Sequence, residues 1–190
     1  MGDAEPVCID DQIPFELPDG WVWARISSLF IINPRNDVCD STRVSFVPMK
    51  AIEPNCSNII HPEVRTWGDV KAGFTHFADG DIVFSKISPC FENGKAFIAK
   101  NLTNRIGAGS TELFVLRNKG ITHLNADYVY AFLRSSDFIH GATSTFLGTV
   151  GQQRVKREYL ECALIPIPPL NEQAAIAGVL MQYFIEVEAI

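Results

Sequence analysis

Lysine and arginine side chains are concentrated in the middle of a chain that is acidic overall. The formal net charge is −6, but residues 43–119 hold ten basic and seven acidic residues. Within that block, 86–119 holds six basic residues against Glu92 and Glu112. Binding to the phosphates of DNA requires a local basic face, whatever the charge of the whole protein. The block therefore predicts a DNA-binding surface, with a solvated surface of mixed charge as the alternative that charge leaves open.

Sequence patterns that would support catalysis are missing. Residues 107–111 superficially resemble a phosphate-binding loop, but they lack its lysine and precede a predicted strand instead of a helix. The chain has no dinucleotide fingerprint and no serine nucleophile motif. Its four histidines lie far apart, so their spacing does not predict a metal site. We therefore expect no catalytic residues, no metal and no cofactor.

The elements that must position the basic residues are short and irregularly spaced. Apolar, β-branched and aromatic runs predict strands, and Asn125 is a helix-capping residue in front of a periodic apolar face. The resulting fold class is mixed α/β, with several short strands and few helices. The predicted elements are a strand or short helix over 21–30, strands over 43–49, 95–99, 113–116 and 162–167, and a turn followed by a buried strand over 80–89. They also include an irregular connection over 53–76, a glycine-rich turn over 106–109, and helices over 126–139 and 154–160.

The last twenty residues predict a helix with a narrow apolar stripe. Its apolar residues recur at spacings of four, three, four and three, which is typical of a coiled-coil seam. The stripe consists of Ile176, Leu180, Tyr183, Val187 and Ile190. Three prolines at 166, 168 and 169 precede it and predict a stiff hinge, so the helix is expected to project from the domain towards a partner. The alternative is a terminal helix packed on its own domain.

Composition limits the class of protein further. Apolar residues make up 47% of the chain and charged residues 20%, as in ordinary globular proteins. No apolar run approaches the length of about 20 residues that a membrane-spanning helix needs. The acidic start of the chain does not match a secretory signal, and five widely spaced cysteines indicate reduced thiols. These features lead us to expect a cytoplasmic location and no membrane partner.

Four blocks of sequence, in order, carry a resemblance to a known family. They are IPFELPDGW (13–21), GDIVFSKISP (80–89) followed by NGK (93–95), GAGSTE (107–112) leading into VLR (115–117), and GQQRV (151–155) with IPIPPLNEQ (165–173). Each block alone is weakly specific, but all four in this order and at these separations are strongly specific, and the resemblance covers nearly the whole chain. The chain resembles the specificity subunit of type I restriction-modification systems.

The resemblance implies a fold, a division of the chain and a set of partners. Members of this family have two target-recognition domains, each reading one half of a bipartite DNA sequence, separated by two long antiparallel helices. Here the resemblance implies one DNA-binding domain over 1–169 and the start of a spacer or dimerisation helix over 170–190. The implied partners are double-stranded DNA, methylase subunits and restriction subunits, with self-association through the helix. The rival functions are the DNA-reading part of a fused restriction-methyltransferase enzyme and an interaction module without DNA contact.

The resemblance also turns polar residues of the matching blocks into candidate DNA contacts. Lysine and arginine suit phosphates or guanine, while amides and hydroxyls suit base edges or phosphates. The candidates are Lys86, Asn93, Lys95, Lys100, Ser110, Thr111, Arg117, Gln152, Gln153 and Arg154, with Arg65 and Lys71 in a second stretch. Lys86, Lys95, Lys100 and Arg117 are expected to share one concave basic face. Turn formation is the alternative for Asn93, and capping of backbone groups is the alternative for Ser110 and Thr111.

Overall fold

The computed structural model describes residues 8–55, 57–146, 149 and 152–188, with the backbone alone for 183–188. These residues form ten strands and six α-helices, and the predicted mixed α/β class is confirmed. The strands are β1 (Val22–Arg25), β2 (Phe30–Ile32), β3 (Arg43–Val47), β4 (Glu63–Thr66), β5 (Thr75–Ala78), β6 (Ile82–Ser85), β7 (Ala96–Ile98), β8 (Ile106–Gly109), β9 (Leu113–Asn118) and β10 (Leu164–Ile167). The helices are α1 (Ile26–Leu29), α2 (Trp67–Val70), α3 (Ala126–Leu133), α4 (Ser136–Thr143), α5 (Arg157–Cys162) and α6 (Leu170–Glu188).

Two four-stranded sheets form the body of the fold. The central sheet has the strand order β2-β9-β6-β7, and all its neighbours are antiparallel. The outer sheet has the order β4-β3-β8-β5, in which only the β3–β8 pair is parallel. A two-stranded ribbon of β1 and β10 joins the start of the domain to the segment before α6.

The alternation of side chains along the central strands divides the hydrophobic core. Successive residues of a strand point to opposite faces. Phe84 and Leu116 therefore belong to a core shared with α1, α3, α4 and α5, whereas Val83 and Val115 belong to the core between the two sheets. The central sheet is buried on both faces, which explains why its strands are continuous apolar runs.

Residues 106–109, predicted as a glycine-rich turn, form strand β8. Glycine is needed here for packing: a Cβ on Gly107 would lie 2.1 Å from a ring carbon of Phe77 on β5. The Phe77 ring can therefore lie across the neighbouring strand β8 only because Gly107, its cross-strand partner, has no side chain. Local propensity disfavours glycine in strands, and the pairing partners that override it are distant in sequence.

The stretch 53–76 is not the irregular connection that its composition predicts. Its second half forms β4, α2 and the start of β5. Trp67 and Val70 are buried on the far face of the outer sheet, which fixes α2 there. Its first half runs beside β7, where the side chain of Asn58 accepts a hydrogen bond of 2.6 Å from the backbone N–H of Ile98.

The helix predicted over 126–139 is divided into α3 and α4. Asn125 caps α3 as predicted, accepting hydrogen bonds from the backbone N–H groups of Asp127 and Tyr128. Ser135 is extended and caps α4 by accepting from the N–H of Phe138. A second N-cap within the predicted helix ends the first helix and starts another in a new direction.

The prediction that the last helix projects from the domain is wrong for the first turns of α6. The Gln173 side chain is 1% exposed, accepts from the N–H of Asn125 at 2.8 Å and donates to the carbonyl of Pro168 at 2.9 Å. Ile176 and Ala177 pack on the core of the domain. The seam predicted from spacing alone thus begins as ordinary core, because heptad spacing and a helix face packed on α3 look alike over two turns.

Further along α6 the apolar surface becomes exposed. Leu180 is 38% exposed and Val179 is 67% exposed. The side chains of Tyr183 and Val187, and the whole of Ile190, lie outside the described residues. The partner role of the stripe and the division of the chain at residues 169 and 170 stay predictions. No helix in the described part of the chain is both long and apolar enough to span a bilayer.

Candidate nucleic-acid interface

Antiparallel pairing in the central sheet sorts the basic candidates into two groups. Ser85 on β6 lies opposite Leu113 on β9, and the backbone N–H of Ser85 donates to the carbonyl of Lys95. The end of β6 therefore meets the starts of β7 and β9. We define the Lys86 end as residues 85–86, 95, 110–112 and 152–154. The Arg117 end, at the opposite edge of the strands, comprises residues 79–81, 100, 105 and 117.

The outer sheet brings the turn after β8 to the Lys86 end. Val47 pairs with Gly109, and the backbone N–H of Ser110 donates to the carbonyl of Val47 at 3.4 Å. The Ser110 hydroxyl oxygen accepts from the N–H of Glu112 at 3.2 Å, so the alternative of backbone capping is realised for Ser110. Thr111, at the tip of the turn, is exposed.

A third segment, residues 152–154, completes the Lys86 end. The backbone N–H of Ser88 donates to the carbonyl of Gln153 at 2.8 Å, and Ile87 forms a bridge with Arg154. Gln152 is exposed beside them. Six candidates from three distant segments therefore lie together: Lys86, Ser110, Thr111, Gln152, Gln153 and Arg154.

Arg154 and Glu112 form a bidentate ion pair at this end. Nε of Arg154 donates to Oε2 of Glu112 at 2.9 Å, and Nη2 donates to Oε1 at 2.7 Å. These hydrogen bonds hold the pKa of Glu112 below its usual value, and they raise the pKa of Arg154. Two parallel N–H···O bonds fix the plane of the guanidinium, which a single contact would leave free to rotate.

Lys86 carries a positive charge that no described carboxylate neutralises through an ion pair. Its Nζ lies 5.5 Å from the centre of the Phe114 ring, a cation–π contact. Its backbone accepts from the N–H of Val155 at 2.9 Å and donates to the carbonyl of Glu112 at 2.9 Å. The side chain is half-buried, so a rigid backbone and an aromatic ring hold an ammonium group at the surface.

Lys95 and Asn93 lie near the Lys86 end, but Lys95 already has a structural role. Its ammonium donates to the carbonyls of Ile52 and Met49 at 2.6 and 3.2 Å, which fastens the segment after β3 to β7. The backbone N–H of Asn93 donates to the carbonyl of Pro89 at 2.9 Å, closing a local turn, while the residue itself is exposed. The turn role weighed for Asn93 is present in its backbone.

The single basic face predicted for Lys86, Lys95, Lys100 and Arg117 is wrong. Arg117 donates to both carboxylate oxygens of Asp81, at 2.9 and 2.8 Å, and the Asp81 side chain is 3% exposed. Lys100 lies 3.8 Å from the carboxylate of Asp127. Four steps along β9 separate Leu113 from Arg117, which is roughly 13 Å. Strand direction, which residue spacing does not reveal, places two of the cations at each end.

Arg65 and Lys71 lie on the outer sheet, apart from both ends. The guanidinium of Arg65 is 5.6 Å from the Phe46 ring and donates to Glu63. Lys71 donates to both carboxylate oxygens of Asp40, at 2.8 and 2.7 Å. Their DNA-binding role stays a prediction, and the structure does not bring them to the other candidates.

Two acidic residues that organise the cations were not assigned a role from sequence. Asp81 follows a turn glycine and opens a buried strand, which is an unusual place for a carboxylate and therefore a usable signal. Glu112 lies two residues after Ser110 in a polar turn, where the sequence gives no sign of its partner 42 positions away. Among the residues that the structure describes, no group of acidic, histidine or cysteine side chains is arranged to hold a metal.

The family of the chain is identified by its match to a protein-family model. The model for the type I restriction modification DNA specificity domain matches residues 18–189. The chain belongs to this family. That membership confirms the resemblance carried by the four sequence blocks.

Relatives within the family are full specificity subunits. The type I restriction enzyme EcoEI specificity subunit of Escherichia coli is 44% identical over 170 residues, which cover 89% of this chain and 28% of that protein. The EcoAI specificity subunit of Escherichia coli is 43% identical over 172 residues, covering 90% of this chain and 29% of that protein. This chain therefore spans less than a third of the length of these curated relatives.

Solved structures share the fold. The crystal structure of the HsdS subunit from Thermoanaerobacter tengcongensis matches with a TM-score of 0.70 and 22% identity, over 93% of this chain and 46% of that one. A chain from a structure on complex assembly and conformational transition of the type I R-M system matches with a TM-score of 0.62 and 21% identity, over 93% of this chain and 41% of that one. At these identities the likeness concerns the fold alone.

Proposed function

We propose that this chain recognises one half of a bipartite DNA target as the specificity subunit, or half-subunit, of a type I restriction-modification complex. It would direct methylase and restriction subunits to that target. Family membership supports the class of function, and the names of the Escherichia coli relatives support the type of complex. In this proposal the chain itself is non-catalytic and works in the cytoplasm.

The assembly of polar candidates at the Lys86 end carries the proposal. Three segments that are distant in sequence converge there and present an ammonium, a guanidinium, amides and hydroxyls on one surface. Base edges require directional donors and acceptors, and neighbouring phosphates require positive charge. The Lys86 end offers both, whereas the Arg117 end binds its guanidinium to a buried carboxylate.

The exposed part of α6 would contact the partners. Leu180 and Val179 are exposed beyond the turns that pack on the domain. Replacing Leu180 by Asp is expected to prevent assembly with methylase subunits or a second copy while leaving the domain folded. Ile176→Asp is the matched comparison, and it should unfold the domain because Ile176 packs on the core. Unaltered assembly of the Leu180→Asp protein, measured by gel filtration with light scattering, would contradict the role of α6.

The salt dependence of DNA binding tests the proposal. The purified complex with methylase subunits is titrated with a duplex pool at several salt concentrations, and binding is followed by fluorescence anisotropy. Each lost phosphate contact lowers the slope of log K against log salt by about 0.9. Lys86→Ala is expected to lower the slope by about 0.9, the value for one phosphate contact, and to weaken binding to all duplexes by the same factor.

Lys100→Ala is the matched control. Lys100 is an exposed lysine of the same central sheet, but it lies at the Arg117 end beside Asp127. Its replacement should leave both affinity and slope unchanged. If Lys86→Ala behaves like Lys100→Ala, the Lys86 end is not the DNA surface. If the complex binds the pool without any salt dependence, the chain is an interaction module and the proposal fails.

A further inference from the structure

Arg154 retains hydrogen-bond donors that the domain does not use. A guanidinium has five N–H groups. Three of them are occupied: Nε and Nη2 each donate to Glu112, and Nη1 donates to the carbonyl of Gln152 at 2.9 Å. Within the described residues this leaves one N–H on each terminal nitrogen. The Arg154 side chain is 44% exposed, so a ligand can reach it.

Glu112 binds this guanidinium, and the backbone of Glu112 is itself fixed by two hydrogen bonds. Its backbone N–H donates to the Ser110 hydroxyl, and its carbonyl accepts from the N–H of Lys86 at 2.9 Å. Its side chain is 26% exposed, less than that of Arg154. An arginine fixed in this way loses little conformational freedom when it binds a ligand, because the carboxylate has already selected its rotamer.

We propose that Arg154 reads a guanine of the DNA half-site and that Glu112 is its positioning residue. The inference rests on the proposed DNA-reading function and names the base and the residues. Guanine presents two acceptors, O6 and N7, side by side in the major groove, and paired arginine N–H groups match them. Lys86 beside them supplies the charge for a neighbouring phosphate, so the two cations have separate roles.

A phosphate is the competing ligand for the same donors. Two observations favour the base. The charge of Arg154 is neutralised by Glu112, so the pair attracts a phosphate only weakly, whereas the directional donors that a base edge requires are unchanged. Lys86, without an ion pair among the described residues, is the better phosphate ligand at this end.

Selection from a randomised duplex pool tests the proposal. The wild-type complex with methylase subunits selects its preferred half-site, and each guanine in that half-site is then replaced by 7-deazaguanine, which lacks the N7 acceptor. At one guanine the wild type is expected to lose affinity on the order of tenfold, as for a good bidentate contact. The Arg154→Leu complex, which has no hydrogen-bond donor at this position, should bind the modified and unmodified duplexes equally.

Arg105→Leu is the control, because Arg105 is also an arginine beside a carboxylate, that of Asp79, but lies at the Arg117 end. It should keep the full wild-type preference. Glu112→Gln should reduce the preference for that guanine while retaining binding to duplexes that lack it. A merely structural role of Glu112 would instead weaken binding to every duplex by the same factor.

The outcomes separate the two proposals. If the wild type selects no sequence from the pool, the DNA-reading function fails and the guanine assignment fails with it. If it selects a half-site but Arg154→Leu keeps every guanine preference, the reading function stands and the assignment to Arg154 is overturned. A lower salt slope in Arg154→Ala, with base preferences intact, would show a phosphate contact and would also overturn it.

Discussion

At the Arg117 end of the central sheet, a guanidinium is bound to a carboxylate that is 3% exposed, and at the Lys86 end the same type of pair is 26% and 44% exposed. Both pairs are bidentate, with donor–acceptor distances between 2.7 and 2.9 Å. Burial alone distinguishes them. The Asp81 carboxylate also accepts from the backbone N–H of Ala78 at 2.7 Å, so it joins β5 to β6 as well as β6 to β9.

The difference shows why one pair stabilises the fold and the other is available for binding. Removing one partner of a buried pair leaves an uncompensated charge away from water, which is strongly destabilising. The groups of an exposed pair regain solvation by water when the pair is broken, so the pair contributes little to the free energy of unfolding even where two hydrogen bonds fix its geometry. Its geometry is then useful chiefly for orienting a donor towards a ligand.

The largest effect is expected from Arg117→Ala. This change leaves the Asp81 carboxylate buried without its partner, so the free energy of unfolding should fall by about 3 kcal/mol or more. The matched change Arg154→Ala should lower it by no more than about 1 kcal/mol, because that pair is exposed. Urea unfolding followed by tryptophan fluorescence measures both, and equal losses would remove the distinction between the two ends.

A smaller loss is expected from Gly107→Ala, which tests whether the two sheets form one packed body between the ends. The added Cβ would overlap the Phe77 ring, so unfolding should become easier by about 1–3 kcal/mol. Gly178→Ala on α6 is the control, since a Cβ added there would meet no described atom within 4 Å beyond the backbone of its own helix. That change should stabilise the protein by up to about 1 kcal/mol through helix propensity. A neutral Gly107→Ala variant would mean that the Phe77 ring can move aside without loss of packing between the two sheets.

His76 shows that burial also makes the stability of the fold depend on pH. It is 4% exposed, and its Nδ1 accepts from the backbone N–H of Asn36 at 3.3 Å while Nε2 donates to the carbonyl of Lys71 at 3.0 Å. Burial lowers the pKa of His76, and the nearby guanidinium groups of Arg35 and Arg117 lower it further, while the hydrogen bond to Lys71 opposes the shift.

The sign of the pH effect follows from the lowered pKa. In the unfolded chain the His76 side chain binds a proton near pH 6.5, whereas in the folded protein it does so only at lower pH. The stability that neutral His76 contributes is therefore complete above about pH 6.5, and the free energy of unfolding falls as the pH drops towards the folded pKa. His76→Gln should reduce this slope in urea unfolding measured between pH 7 and 5. An unchanged slope would show that folding does not lower the pKa of His76.

The smallest effects on stability are expected for Lys86→Ala and Lys100→Ala. Neither side chain is buried, and the nearest carboxylate to Lys100 is 3.8 Å away, so each change should stay within about 0.5 kcal/mol. The two variants should therefore differ only in DNA binding. A loss above about 1 kcal/mol for Lys86→Ala would mean that its contact with Phe114 is structural and that its DNA phenotype is indirect.

The sequence by itself determined the class of fold, the family and most of the candidate residues. Continuous apolar runs such as 82–84 and 113–116 predicted buried strands because burial on both faces favours apolar side chains at successive positions. Asn125 predicted the start of α3 because a capping side chain acts within its own turn. These signals are local, so they can be recognised without knowing which distant segments of the chain pack together.

Only the tertiary structure decided how the candidates group and which of them are free. The separation of Lys86 from Arg117 depends on strand direction and register, and the role of Arg154 depends on Glu112, 42 residues away. Gly107 lies in a strand, where the Phe77 ring packs against it. The first turns of α6 pack on the domain, where Gln173 is hydrogen-bonded to the loop before α3. Each of these contacts joins segments that are distant along the chain, and residue types and spacing do not encode which distant segments meet.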